Sequence, residues 1–164
     1  MNRRKIMHAA VLSISAIAQG TSTGWAQQAN ELIGSWSLVS VQSDASGKKV
    51  DIFGPNPKGF FVFDGSRFSI IIARDGLPKI ASNNRMTATA DENKSIIQGS
   101  LAYFGRYQAT EAGEMVQMVE GGTFANYMTA DQKRSFKVDG GKLMIRNTAS
   151  SVGAALTLTL VRAK

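Results

Sequence analysis

The chain has 164 residues, with 19 Lys and Arg against 12 Asp and Glu, a formal net charge of +7, one His and no Cys. Without Cys, disulfides and thiolate catalysis are excluded. The one His, His8, falls in a segment typical of a removable leader, so the rest of the chain lacks the imidazole of a Ser-His-Asp triad or a zinc or copper site.

The first 26 residues have the layout of a secretory signal peptide. Three basic residues precede an apolar run over residues 6–18, and a short polar stretch ends at Ala26. The run is too short to span a bilayer, which takes about 20 apolar residues. We expect cleavage after Ala26, a mature domain over residues 27–164 with net charge +4 once those three residues are lost, and a periplasmic or secreted product without a membrane span.

Short β-prone runs separated by turn residues follow at regular spacing. The predicted strands cover residues 34–41, 59–64, 67–73, 100–108, 114–120, 123–128, 133–138, 142–147 and 155–162. Asp64-Gly65 between two such runs is a strong hairpin signal. Many short strands separated by frequent turns are typical of an all-β barrel or sandwich.

One segment interrupts the strands. Residues 87–98 predict a short helix, with Thr89 or Asp91 as its N-cap and acidic residues in its first turn. Residues 75–86 before it predict a long loop, which is either a functional lid or a surface excursion.

Two predicted strands are apolar on both faces. Residues 60–63 and 70–72 lack the alternation of a sheet with one face in water, so we expect their outer face to be covered by the helix, a loop or a partner. The last strand alternates, and Arg162 falls on the side of its leucines. A charged Arg on a buried face needs a partner that compensates for its lost hydration.

Gly34-Ser35-Trp36 at the start of the first strand, with Arg162 at the end of the last, resembles the lipocalin arrangement. The resemblance implies an all-β, antiparallel up-and-down barrel of about eight strands with one short helix. It also implies that Trp36 and Arg162 form a structural pair by cation–π contact across one closed end.

More of the chain resembles the bacterial lipocalin-like domain family, over roughly residues 31–164. The matching pieces lie at residues 32–40, 54–59, 102–107, 134–136 and 139–143. The resemblance implies the barrel fold and little about activity, since members of this family have differing roles. Where the family often has a His, this chain has Val116-Gln117-Met118, which removes that residue as a general base.

Candidate ligand-binding residues come from two neighbouring strands. Tyr103 and Tyr107 share one strand face, and inward rings would give apolar walls with two hydroxyls that orient a ligand, or would fill a dry core. Gln117, among apolar neighbours in the next strand, is either a ligand contact or a satisfied structural hydrogen bond.

Asn126 and Arg134 match positions of the family and complete the set of candidate ligand-binding residues. Arg134 shares a face with Phe136, and an inward Arg either binds a carboxylate ligand in bidentate fashion or pairs with Glu120 or Glu114. No catalytic residue is identified, and neither a metal nor a cofactor is expected.

Three functions remain open. The first is an exported barrel that binds a small hydrophobic or amphipathic molecule, and it is favoured because it requires only a cavity. The second is a His-free isomerase, cyclase or dehydratase acting on such a ligand. The third is a protein-interaction barrel of the protease-inhibitor kind. Nucleic acid is not expected as a partner, because the basic residues are dispersed, and we expect a monomer or weak homodimer.

Overall fold

The computed structural model describes residues 29–45, 48–110 and 113–164. The predicted leader and its cleavage site after Ala26 lie outside these residues. The strands are β1 (Gly34–Ala45), β2 (Lys48–Asp51), β3 (Lys58–Phe63), β4 (Arg67–Ala73), β5 (Ser100–Ala109), β6 (Glu114–Gly122), β7 (Gln132–Asp139), β8 (Lys142–Asn147) and β9 (Leu156–Arg162). The helical elements are α1 (Ala90–Gly99), two 3-10 helices (Arg85–Thr87 and Ala125–Thr129) and residues 29–32.

Eight of these strands close into one antiparallel barrel. From β3 to β9 each strand pairs with the next along the chain, and β1 pairs with both β3 and β9. A register shift between Leu38 and Ser40 marks a bulge in β1, where an added residue bends the strand. The short β2 pairs only with the far end of β1 and is not one of the eight strands of the barrel. The predicted all-β, up-and-down barrel of about eight strands with one short helix is therefore confirmed.

The barrel interior is filled from alternate residues of each strand. In β8, for example, buried Leu143, Ile145 and Asn147 alternate with exposed neighbours, because successive side chains of a strand point to opposite faces. The largest fully buried side chains include Trp36 and Phe61. Full burial of an aliphatic or aromatic side chain contributes about 1.5–3 kcal/mol, so this single core is the main stabilising element.

Helix α1 begins two to three residues later than the sequence predicts. Thr89 is its N-cap and forms a capping box with Glu92: the Thr89 hydroxyl accepts from the Glu92 backbone N–H, and the Glu92 carboxylate accepts from that of Thr89. Thr87 belongs instead to the preceding 3-10 turn. In the part of the chain that the structure describes, no helix is long and apolar enough to cross a membrane.

One prediction about local structure is wrong. Residues 123–128 do not form a strand, because the chain turns into the 3-10 helix Ala125–Thr129 after β6 ends at Gly122. Within the described residues, neither the helix nor a loop covers the outer face of β3 and β4, where the exposed fraction is 46% for Phe60 and 53% for Ile71. A partner that covers this face stays a prediction.

Candidate functional site

One end of the barrel is closed by the Trp36–Arg162 pair. The Trp36 ring is fully buried, and its Nε1 donates to the Leu32 carbonyl at 2.8 Å. The guanidinium carbon of Arg162 lies 3.9 Å from the Trp36 ring centroid. Its Nη1 and Nη2 donate to the carbonyls of Ile33 and Glu31, both at 2.6 Å. The polar groups of both side chains are therefore engaged in contacts at this end of the barrel, as expected for a structural pair.

The other end carries the long connections and contains a small inner cavity. Its volume is about 30 Å³, which is space for two or three waters at about 10–15 Å³ each. A roomy interior, as a ligand held wholly inside the barrel would need, is therefore absent from the part of the chain described. The lining residues are Val41, Phe53, Phe61, Ile70, Ile72, Leu101, Tyr103, Gln117, Tyr127, Arg134, Ile145, Asn147, Ser151, Leu156 and Leu158.

Three of the predicted ligand-binding residues meet at this inner cavity: Tyr103 from β5, Gln117 from β6 and Arg134 from β7. All three are inward and buried because each has an even spacing from buried neighbours in its strand. Burial raises the pKa of the Tyr103 hydroxyl to about 12, partly opposed by the Arg134 charge. At neutral pH Tyr103 is therefore a neutral hydrogen-bonding group and not a base.

The Arg134 guanidinium does not pair with Glu120 or Glu114, the carboxylate partners that the sequence offers. Its Nη1 donates to the Lys133 carbonyl at 2.8 Å, and its Nη2 donates to Gln132 Oε1 at 3.4 Å. Glu120 lies on the outer wall, where it pairs with Arg67 and Arg106. Within the described ranges, no ion pair includes Arg134.

Gln117 is the one buried side chain of the described chain whose polar atom lacks a partner. It is 1% exposed, and its Oε1 has no hydrogen-bond donor. Its Nε2 has only a weak contact with Met115 Sδ at 3.9 Å. The structure therefore does not give Gln117 Oε1 the structural hydrogen bond that was one of the two alternatives for this residue.

Tyr127 lines the inner cavity beside the three polar groups. Its ring centroid lies 5.3 Å from that of Tyr103 and 5.1 Å from that of Phe124, both edge to face. The Arg134 guanidinium carbon lies 5.6 Å from the same ring. The Tyr127 hydroxyl accepts from the Ser151 backbone N–H at 2.8 Å. Tyr127 thus links the polar residues of the inner cavity to Phe124 and Ser151.

A larger space, the mouth cleft, adjoins the inner cavity. Its volume is about 280 Å³, and its walls come from α1, from the start of β5 and from the β6–β7 and β8–β9 loops. The lining residues are Phe53, Ile97, Gln98, Ser100, Leu101, Thr123, Phe124, Ser151 and Val152. Phe53, Leu101 and Ser151 line the inner cavity as well, so the two spaces are adjacent and share a boundary.

Two predicted ligand-binding residues lie elsewhere. Tyr107 is buried at the closed end, with its ring 5.3 Å from that of Phe63 and its backbone N–H bonded to the Ser66 carbonyl. Asn126 is exposed on the 3-10 helix, and its carbonyl accepts from the Thr129 hydroxyl. Neither lines the inner cavity or the mouth cleft.

Several lining residues were not singled out from the sequence. Asn147 is inward by the same two-residue period as Leu143 and Ile145, so the pattern of β8 contained the signal. The loop residues Phe53 and Ser151 carry no such periodic signal. The residues that the structure describes include no cluster of three or more His, Cys, Asp or Glu able to hold a metal ion.

Comparison with known proteins identifies a family. A family model described as a lipocalin-like domain matches residues 33–159, which include all residues of both spaces and every strand of the barrel except the last three residues of β9. No curated protein matches the chain.

Proposed function

The chain belongs to the lipocalin-like domain family, and on that premise we propose that it binds a small hydrophobic or amphipathic molecule at the open end of its barrel. The observation that carries this proposal is the shared boundary of the mouth cleft and the inner cavity at Phe53, Leu101 and Ser151.

The chemistry of the cleft favours an apolar ligand body. Ile97 is 59% exposed and Val152 is 46% exposed, and both line the cleft. A ligand that covered them would remove apolar surface from water, with a gain of about 25 cal/mol for each Å². The cleft volume of about 280 Å³ is near the lower end of small-molecule sites, at about 300 Å³, so the ligand is small.

The inner cavity accommodates only one end of such a ligand. Its volume of about 30 Å³ admits a group of a few atoms, whereas the body remains in the cleft. Leu101 lines both spaces, so a ligand that extends from the cleft into the inner cavity passes this side chain.

We also propose that the protein acts outside the cytoplasm, as a product exported after cleavage behind Ala26. The basic, apolar and small-residue regions of the first 26 residues support this localisation. N-terminal sequencing of the protein from its own host should find Gln27 as the first residue. A first residue of Met1 or Asn2 would rule out the cleavage.

A neutral apolar dye tests the binding proposal. N-phenyl-1-naphthylamine fluoresces more strongly in apolar surroundings, and we expect it to bind the purified protein with one site per chain. Ile97→Glu places a charge in the cleft and should weaken dye binding at least about fivefold, by roughly 1 kcal/mol or more. Ile71→Glu is the matched control, because Ile71 is similarly exposed on the outer wall and should leave binding unchanged. Equal effects of the two variants, or no dye binding, would contradict the proposal.

A further inference from the structure

The charge of Arg134 is buried without an anion. Its side chain lies in the barrel interior, and the residue is 4% exposed. The hydrogen-bond partners that the structure gives it are the Lys133 carbonyl, Gln132 Oε1 and the Tyr103 hydroxyl, and all three are neutral. A buried cation is stable at low cost only when an anion and hydrogen bonds replace its lost hydration. Arg134 therefore has one requirement that the described part of the chain does not meet.

The acidic residues nearest along the paired strands are directed away from the interior. Glu114 is exposed and precedes Met115, the residue in register with Arg134. Glu120 is engaged on the outer wall by Arg67 and Arg106. Neither of these described carboxylates supplies the anion, which points to a bound molecule as its source.

Gln117 is a second, independent indication that a molecule binds in the inner cavity. Its Oε1 is buried, lines the same inner cavity as Arg134 and has no donor. A buried acceptor without a partner is unfavourable, and such groups in native proteins usually meet a water or a ligand. Arg134 and Gln117 together, with the Tyr103 hydroxyl beside them, make a set that is incomplete without a polar ligand group.

The size of the inner cavity narrows the class of group. A volume of about 30 Å³ is close to two waters, which matches a carboxylate with its two oxygens better than a bulkier phosphate or sulfate. A planar guanidinium also binds a carboxylate through two parallel hydrogen bonds. The apolar cleft directly outside then receives the rest of the molecule.

We infer that the ligand is a small carboxylic acid with an apolar chain, its carboxylate bound by Arg134 in the inner cavity and its chain lying in the mouth cleft. This inference rests on the proposed function. Gln117 Oε1 accepts a hydrogen bond from a hydroxyl of the ligand or from a water that enters with it. Tyr103, neutral at physiological pH, offers its hydroxyl to the same carboxylate.

The test compares two competitors that differ in charge. Decanoate below the concentration at which it forms micelles, and 1-decanol below its solubility in water, are titrated against bound N-phenyl-1-naphthylamine at pH 8. On the wild-type protein we expect decanoate to displace the dye at a concentration at least about tenfold lower than decanol, as a charged hydrogen-bond pair gives. This comparison requires no variant, so it stands whether or not a substituted protein folds.

Arg134→Met then identifies the residue responsible. We expect the variant to lose the preference for decanoate, so that the two competitors act at similar concentrations, while decanol binding changes little. Because the free protein loses an unpaired buried charge, its thermal midpoint should stay the same or rise. Arg67→Met is the matched control, since Arg67 is an exposed Arg paired with Glu120 on the outer wall, and it should keep the preference.

The outcomes distinguish a failure of this inference from a failure of the proposed function. If the dye binds and decanol competes as well as decanoate on the wild-type protein, the carboxylate inference is wrong and the binding site stands. A folded Arg134→Met protein that keeps the preference would also overturn the inference. Absence of dye binding to the wild-type protein would remove the proposed function and this inference together.

Discussion

The guanidinium of Arg162, at the end of the last strand, stacks on the ring of Trp36, near the start of the first, at 3.9 Å from the ring centroid. The two residues are direct partners in the register that closes the barrel. Arg162 also bonds two carbonyls of the segment that leads into β1, those of Glu31 and Ile33. One side chain therefore links the closure of the sheet, the indole ring and the preceding helical turn.

Removal of either member of this pair should destabilise the barrel. We expect Trp36→Ala to lower the free energy of unfolding by about 3–5 kcal/mol through lost core volume, and Arg162→Ala to lower it less. A double-mutant cycle by urea unfolding should give a coupling of about 1–2 kcal/mol. Additive effects of the two substitutions would show that the stacking contributes nothing to stability.

Gly34 is adjacent to the same pair, and both its backbone conformation and the space around it require a residue without a side chain. Its φ is +127°, and a Cβ atom there would lie 2.5 Å from Nη1 of Arg162. We expect Gly34→Ala to lower the free energy of unfolding by more than the roughly 1–3 kcal/mol of backbone strain alone. The measurement is urea unfolding in the wild-type and Arg162→Ala backgrounds.

The control for this prediction is Gly54→Ala. Gly54 also has a positive φ, +79°, but open space around its missing Cβ. In the Arg162→Ala background the effect of Gly34→Ala should fall towards that of Gly54→Ala, because the collision is gone and the strain remains. An unchanged effect in that background would mean that the guanidinium moves aside freely.

Glu92 should make the long loop before α1 sensitive to acid. Its carboxylate accepts from the backbone N–H groups of Ala81 and Thr89, and these bonds lower its pKa. A lowered folded pKa gives a stabilising contribution that is present above the ordinary pKa, about 4.3, and is lost as the pH falls through the folded value. We expect hydrogen-exchange protection of the Ala81 amide to fall below about pH 4, and Glu92→Gln to show that reduced protection at pH 7. Full protection in the variant would contradict this.

Tyr103 should limit stability at alkaline pH. Burial raises its pKa to about 12, above the unfolded value of about 10. The contribution is complete below pH 10 and is lost as the pH rises towards 12, because the unfolded chain releases the proton first. Between pH 10 and 11 the wild-type free energy of unfolding should fall by about 1 kcal/mol more than that of Tyr103→Phe. Equal losses in urea unfolding would mean that Tyr103 ionises as freely in the folded protein.

The closed end and its pair could be predicted because they depend on local pattern and chain order. Alternation fixed the face of Arg162, and an up-and-down barrel brings its last strand beside its first. The same alternation correctly placed Tyr103 and Tyr107 on one inner face. It did not place them in one cavity, since four residues of a strand span about 13 Å and the barrel differs at its two ends.

The segment after β6 shows a second limit. Residues 123–128 include the β-prone Thr123, Phe124 and Tyr127, yet the chain forms a 3-10 helix over Ala125–Thr129, in which three residues make one turn. Within this helix Tyr127 is buried and Asn126 is exposed. Only the tertiary position of the segment, across the open end, distinguishes the two conformations. Phe60 and Ile71 are about half exposed in the single chain, so apolar residues on both faces did not identify the helix or a loop as their cover.

The most direct test of the proposed site is amide NMR on the wild-type protein during titration with decanoate. We expect the largest shift changes at Gln117 and Arg134 around the inner cavity and at Leu101 and Val152 in the mouth cleft. The amides of the closed end, such as Arg162, should move little. Changes confined to the outer wall or to the closed end, or no saturable change, would contradict a ligand site at the open end of the barrel.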